Sequence, residues 1–588
     1  MRKIITGMLI MTLSFSGLAN VFKFLPITST YAAEYEVKGN ELIVGRNESY
    51  SSISSAIKAT KAGDVILVRE GTYNEQIVMS KSGTANAYIT IRNYPGETPI
   101  LDGTGIDTIF DFNGQDYINF EGFKVQNITN QQWASGIYLG GGEKYINLRN
   151  LEVTGIINPK PTNENYGANP ILLFGEKSES ISNIIIENCY VHDNVTGWCE
   201  AIAVSGNCEN IQVLNNRVDN NGNIGIDFCG NFGYAPSNDQ PRNCVARGNV
   251  ISNCNSPYAT SYGLYADGAY NIVFENNVIF NSQGGIEIGA EEKTNNTVGN
   301  IQVINNLVYG CSENGITIGG YETGLGNVDN VLVSHNTVVN NNCELTLSKC
   351  SNISIEYNIF KANNDLIYSE MSSNYTKNIT FNNNLYDGDG FMLAGKSYTA
   401  SNWKSSFDTD ALIQSVKLDS NYVLQESIKG SDGKLLGYLA NDAVVPDEPE
   451  VEEPIVPDEP EVEEPIENKS ILPIFKKGVW YLDRNVSDLN YINDNSLKFK
   501  AKRAWVGAWL DDTSIIKSAR KITISTDSIS KNTEIQIYVN GREIAVLNDK
   551  TKNKTVNIPS NARSVDICIV STKSNVNVEI HGLNIIKE

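Results

Sequence analysis

The middle of the chain repeats itself, and asparagine punctuates the repeat. The segments "NIQVLNNRVDNN" (210–221), "NCVARGNVISNC" (243–254), "NIVFENNVIFNS" (271–282), "NIQVINNLVYGC" (300–311), "NVLVSHNTVVNN" (330–341), "NISIEYNIFKAN" (352–363) and "NITFNNNLYDGD" (378–389) align without gaps, and weaker copies begin at Asp116, Lys144 and Asn183. Their spacing runs from about 22 to about 39 residues, as in a solenoid with loops inserted on some coils. Each copy alternates apolar and polar residues over two short stretches, the period of a strand. Asparagine stands between the two because it tolerates the left-handed backbone of a sharp bend. Stacked coils also bring these amides above one another, within reach of hydrogen bonds along a ladder. Further apolar stretches follow at "GIDF" (225–228), "GLYA" (263–266), "GIEI" (285–288) and "GITI" (315–318). Three strands per coil, with no helical period, predict an all-β, right-handed parallel β-helix.

The flanks of the repeat set the domain boundaries. Residues 1–33 combine Arg2 and Lys3, an apolar run broken by Lys23 and Pro26, and small residues at Ala32 and Ala33. This is the pattern of an export signal rather than of a membrane anchor. The β-helix is expected over 34–440. Its open N-terminal end needs a cover against edge pairing, and "SSISSAIKATKAGD" (51–64) supplies an amphipathic helix with Ile53, Ala56 and Ile57 on one face. Within 441–469 the undecapeptide "VPDEPEVEEPI" occurs twice in tandem with no Lys or Arg, which predicts an extended acidic Pro/Glu linker. Residues 470–588 alternate in "KITIST", "TEIQIYVNG" and "VNVEIHGLNII" and read as a small β-sandwich. Trp480, Trp505 and Trp509 make a carbohydrate-binding module one reading of it; core packing is the other.

Composition narrows the functional classes. The net charge of −22 in 588 residues argues against a nucleic-acid partner. His192, His335 and His581 are the only histidines, too few and too dispersed for a His-based triad or a multi-His zinc site. The ten cysteines form no CxxC pair. An exported chain permits disulfides, but most of these cysteines stand where neighbouring repeats carry Asn, Val or Gly, so they read as small buried hydrophobes. The expected product is a secreted, extracellular protein with no membrane partner once the signal is removed, taken as a monomer.

Strand register then selects candidate site residues. If Ile226, Leu264 and Ile286 point inward, Asp227, Tyr265 and Glu287 form one outward column on three successive coils, and Cys229, Asp267 and Gly289 form the next. Glu291 falls in a third column if the strand extends that far. Coils stack ~4.8 Å apart and alternate residues lie ~6.6 Å apart along a strand, so Asp267 and Glu287 are diagonal neighbours at roughly 8 Å. Their carboxyl groups can then adopt the separation of either a retaining or an inverting glycosidase. Trp198 and Glu200, in "GWCEAIAVSG", continue the face one coil earlier, and the insertions 156–169 and 230–242 flank it. Aromatics beside carboxylates suit the faces and hydroxyls of a sugar. Solvated surface and a calcium site are the alternatives for the same acids.

The stretch "AIKATKAGDVILVREGTYNEQIV" followed by "ITIRNYPGETPILDG" resembles the start of the β-helix in polysaccharide lyase family 9, over roughly residues 45–400. That family carries a strand similar to Asp-Gly-Phe-Ala-Ala-Lys, whose lysine takes the proton beside the uronate carboxyl. "YGLYAD" looks like the same strand with Asp267 in the lysine's place and Tyr262 in that of the first aspartate. "GLYAD" also resembles Gly-Ile-Trp-Leu-Asp of family 120 glycoside hydrolases, β-helix xylosidases. There the resemblance implies Asp267 as nucleophile and a glutamate one coil later as acid/base, for which Glu287 is the candidate one outward position away.

Three functions follow. The favoured one is hydrolysis of a polysaccharide by Glu287 as acid and Asp267 as nucleophile or base. Asp227 would raise the acid's pKa, and Tyr265, Trp198, Glu200, Arg242 and Glu291 would bind substrate. The second is a calcium-dependent lyase, with Asp227, Asp239, Asp267 and Glu287 around the ion and Arg242 or Arg247 as base. The third is a glycan-binding surface protein without turnover. Calcium is the single cofactor that any of these invokes.

Overall fold

In the computed structural model, the described residues are 39–439, apart from 363, 420 and 421, and most of 480–587. The segments expected to be an export signal and a Pro/Glu linker lie outside them. The chain divides into two compact units, 1–448 and 449–588.

The first unit is a right-handed parallel β-helix. Three sheets of 13 strands each run along it, and consecutive strands of one coil fall in three different sheets. The first sheet runs from Glu41–Val44 to Thr376–Asn382, the second from Thr72–Tyr73 to Leu412–Ile413, and the third from Ile77–Val78 to Lys396–Tyr398. Inward side chains fill one continuous apolar core between Leu42 and Ala411. All ten cysteines are free, and all but Cys199 and Cys229 are buried. The reading of these cysteines as small hydrophobes therefore holds.

Asparagine has two separate tasks. In "NN" pairs the first residue adopts the left-handed bend, as at Asn215, Asn276, Asn305 and Asn383, and Gly248, His335 and Tyr357 take the same conformation on other coils. The second residue is buried and forms the ladder. Asn216, Asn249, Asn277, Asn306, Asn336, Asn358 and Asn384 each donate a side-chain amide to the next rung, and Asn384 donates to Asp408 at the end. Every rung also donates to a carbonyl of the coil before it, as Asn277 does to Ala246 at 3.0 Å. The ladder thus satisfies backbone groups that a buried bend would leave without partners.

Both ends of the core are covered. The helix Ile53–Ala59 buries Ile53, Ala56 and Ile57 as expected, and Ser52 caps it. Glu75 accepts from the backbone N–H groups of Ile53 and Ser54, an anion where the helix dipole favours one. At the other end the helix Ala400–Ser406 inserts Trp403, which is fully buried among Phe381, Phe391 and Phe407. The segment that follows packs Val416 and Leu436 onto Ile359 and Leu385 of the second sheet and onto Tyr357 at the bend before it. The coil unit therefore extends to Leu439, whose N–H donates to Asn305.

The second unit is built of antiparallel sheets of five, four and three strands. They enclose an apolar core that includes Leu497, Phe499, Ile535, Ile567 and Ile580. The sandwich reading holds for its fold. The side chains of Trp480, Trp505 and Trp509 lie outside the described residues.

Candidate active site

The third sheet carries the candidate chemistry on the strands Ile226–Cys229, Tyr262–Asp267 and Gly284–Gly289. Their register pairs Asp227 with Tyr265 and Tyr265 with Glu287, and Cys229 with Asp267 and Asp267 with Gly289. Both expected columns are therefore present. Ile226, Phe228, Leu264, Ala266, Ile286 and Ile288 alternate with them into the core.

These outward residues are nevertheless buried. Asp227 and Asp267 are each 2% exposed, Tyr265 5% and Glu287 9%. The insertions account for this. The loop after Cys229 folds back, and Asp239 holds it by accepting the N–H groups of Gly233, Tyr234 and Ala235. Tyr234 then lies edge-on to Phe174, with ring centroids 5.1 Å apart, and stacks with Phe232. At the opposite strand ends Trp198 meets Tyr258, with centroids 5.3 Å apart. Tyr234, Phe174 and Tyr258 were not among the residues expected from the sequence. Only the length of the insertion pointed toward them.

Glu291 joins the site by a different route from the one expected. The strand ends at Gly289, and the chain turns so that the Glu291 N–H donates to Asp267 Oδ1 at 2.9 Å. Tyr265 donates its hydroxyl to Glu291 Oε1 at 3.1 Å. That reach depends on Gly289, because a Cβ there would meet the Tyr265 hydroxyl oxygen at 2.5 Å. Glu200 completes the set from the loop before Ile202–Gly206, with Asn169 donating to its backbone carbonyl at 3.0 Å.

Burial and mutual repulsion raise every one of these acids. Burial drives Asp267 up to about 8, helped by the Glu291 charge, and drives Glu200 to about 7. Asp227 is held well above the carboxylate range by burial, then by Glu200, Asp267, Glu291 and Glu287. Glu287 is held up by burial, then by Glu291, Asp267 and Glu313. Glu291 is raised by burial and partly relieved by the Tyr265 hydroxyl. No Lys or Arg offsets any of the five. Glu287 and Asp227 also repel each other, so Asp227 belongs to the charges that surround the acid.

Hydrogen bonding separates the members. Asp267 and Glu291 each accept a donor, which favours their charged forms, whereas nothing donates to lower Glu287 or Asp227. The donors favour ionisation of Asp267 and Glu291 over that of Glu287 and Asp227. A protonated carboxyl and an ionisable one on adjacent coils form an acid/base pair.

Three expected residues do not belong here. Arg242 and Arg247 both lie on the strand Arg242–Arg247 of the first sheet. Glu209 and Asn207 engage Arg242, and Glu275 engages Arg247 at 2.7 Å. Neither is a base or a substrate ligand on the acid face. Asp239 closes its own loop, so the calcium set proposed from the sequence loses one ligand. Among the described residues no three His, Cys, Asp or Glu side chains are arranged to hold a metal ion.

Residues 36–256 match the family model described as "Pel9A-like, right handed beta helix region", and 238–409 match "Right handed beta helix region". The coil unit is a right-handed β-helix, and its N-terminal part is similar to the Pel9A-like family. A Bacillus subtilis (strain 168) protein, YwoF, is 29% identical over 378 residues, covering 59% of this chain and 79% of that protein. Among solved structures, a GH136 lacto-N-biosidase from Eubacterium ramulus aligns at 12% identity and a TM-score of 0.37, over 59% of this chain and 64% of that one. This chain thus spans just under two thirds of that enzyme. XylC in complex with xylose aligns at 11% identity and a TM-score of 0.38, over 93% and 100%. A mannuronic acid specific family 6 lyase from human gut microbiota aligns at 14% and 0.34, over 61% and 89%.

Proposed function

We propose that this chain is a secreted glycoside hydrolase acting on a polysaccharide, with Glu287 as the acid and Asp267 as the nucleophile or base. The observation that carries the proposal is a pair of buried carboxyl groups on adjacent coils, unequal in hydrogen bonding and with no Lys or Arg acting on them. Glu287 gives its proton to the glycosidic oxygen as the bond from that oxygen to the anomeric carbon breaks. Asp267 either bonds to that carbon, for water to displace later, or takes a proton from the water that attacks it. The Glu291 N–H fixes Asp267 in place for either role. Tyr265 and Glu291 hold the floor, and Trp198 and Tyr234 offer ring faces to sugars.

The lyase alternative loses both bases assigned to it, since Arg242 and Arg247 lie on another sheet within ion pairs. A glycan panel read by both new reducing ends and the ultraviolet absorbance of unsaturated uronate separates the two reactions. Hydrolysis predicts reducing ends without that absorbance. Glu287→Gln and Asp267→Asn should each lower the rate by roughly a thousandfold, while Arg242→Gln and Arg247→Gln leave it close to wild type. Full activity in either carboxylate variant would remove this assignment, and absorbance growth abolished by Arg247→Gln would replace it with the lyase.

A further inference from the structure

The site holds more acid than the proposed reaction uses. Glu287 and Asp267 serve as acid and base, which leaves Asp227 without a task. Asp227 is buried, and its Oδ1 has no hydrogen-bond partner. Buried polar atoms in folded proteins nearly always have a hydrogen-bond partner, and an exception inside a candidate site asks what supplies one. The protein offers none here. The column neighbours of Asp227 are Ala203 and Tyr265, and Tyr265 gives its hydroxyl to Glu291. The charged groups acting on Asp227 are all acids, namely Glu200, Asp267, Glu291 and Glu287.

The surroundings define which ligand can supply that donor. A carboxylate or sulfate on the bound sugar would enter a buried cluster that already repels itself and lacks a counter-cation. A hydroxyl adds a donor without charge, and an ammonium adds a donor together with the missing positive charge. Resting on the hydrolase reading of this site, we infer that the sugar bound over Asp227 carries no anionic group and donates a hydrogen bond from a hydroxyl or ammonium to Asp227 Oδ1. The acid face selects its substrate by excluding uronates.

The test is calorimetric titration of the full chain, made inactive by Glu287→Gln and independently by Asp267→Asn. Three sets of oligosaccharides of matched length serve as probes: neutral xylo- or gluco-oligomers, glucosamine oligomers and galacturonate oligomers. At neutral pH a neutral or glucosamine set should bind at least roughly tenfold more tightly than galacturonate, and adding Asp227→Leu should weaken that set by roughly tenfold. Preference for the glucosamine set identifies the donor as an ammonium; parity with the neutral set identifies a hydroxyl. Galacturonate binding as tightly as the others, no set binding to either inactive variant, or an unchanged affinity in a folded Asp227→Leu chain would each overturn the inference. Cleavage by the wild-type chain is judged separately. A neutral oligomer that binds but is never cut refutes hydrolysis and leaves the selectivity standing, whereas cleaved galacturonate does the reverse.

Discussion

Replacing Asn277 with alanine tests whether the ladder holds the coils that carry the acids. Asn277 Oδ1 accepts both the backbone N–H and the side-chain amide of Asn249, each at 3.0 Å. Its own amide donates to Asn306 at 2.9 Å and to the Ala246 carbonyl at 3.0 Å. Truncation leaves two buried donors and one carbonyl without partners, while Asn306 Oδ1 still accepts the residue 277 N–H. Each orphaned group costs about 1–3 kcal/mol, and a water entering the vacated polar space recovers part of it. The expected loss is about 3–5 kcal/mol, felt locally because repeat proteins open coil by coil. Hydrogen exchange followed by mass spectrometry on peptides spanning 270–289 should show protection falling by roughly two to four orders of magnitude. The adjacent Asn276→Gly is the control. Asn276 holds the left-handed bend at φ 58°, which glycine adopts without strain, and its side chain accepts only the Asn305 amide, which also donates to the Leu439 carbonyl, so its cost should stay near about 1 kcal/mol. Equal effects from the two variants, or a change below about 1 kcal/mol for Asn277→Ala, would refute the ladder as the holding element.

Two further predictions concern the acid face. Asp267 rises from 3.8 to about 8 on folding, so the folded chain binds its proton more tightly than the unfolded one does. The resulting stability is complete below about pH 4 and is lost as pH rises toward 8. Thermal unfolding of Asp267→Asn should therefore match wild type at pH 4 and exceed it at pH 8; a variant less stable at pH 8 would contradict the assigned burial. Gly289→Ala should push Tyr265 away from Glu291 and reproduce the activity loss of Tyr265→Phe, roughly tenfold for a hydrogen bond to a charged group. The double variant should be no worse than either single one, and additive losses would show that Gly289 does not act through Tyr265.

Register was the most legible property of the sequence. Alternation at Ile226, Leu264 and Ile286 suffices to place Asp227, Tyr265 and Glu287 in one column, because a one-residue slip would expose the core. The ladder was legible as a tendency, but not which asparagine of each pair makes it. That depends on which residue adopts the bend, and His335 and Tyr357 take the bend without any asparagine signature. What stayed hidden belongs to loops. Nothing in "GNFGYAPSNDQPR" shows that Asp239 closes the loop on Gly233 and turns Tyr234 back over the acids, since such contacts are not periodic. The placement of Arg242 and Arg247 was available from the repeat, where both occupy the first strand of a coil. Their charge suggested a role that their sheet excludes.

The three faces of the β-helix follow one rule of alternation yet obey it differently. On the first two sheets, outward charges pair with partners on neighbouring coils, as Arg247 does with Glu275 and Lys124 with Glu152. Such pairs are worth little individually and keep the surface solvated. On the third sheet, outward acids are covered, unpaired and of one sign, and each raised pKa marks free energy that folding has lost there. A continuous core and a capped asparagine ladder supply stability from parts of the coil that never meet a ligand. A rigid coil stack can therefore hold Asp227, Asp267, Glu287 and Glu291 together against their own repulsion. The same stack gives them no freedom to spread apart, so relief has to come from protons or from what binds. That constraint ties the pH dependence of stability at Asp267 to the donor demanded at Asp227. A ligand that supplies the donor should lessen the loss of stability between pH 4 and 8, and one that brings another negative charge should deepen it.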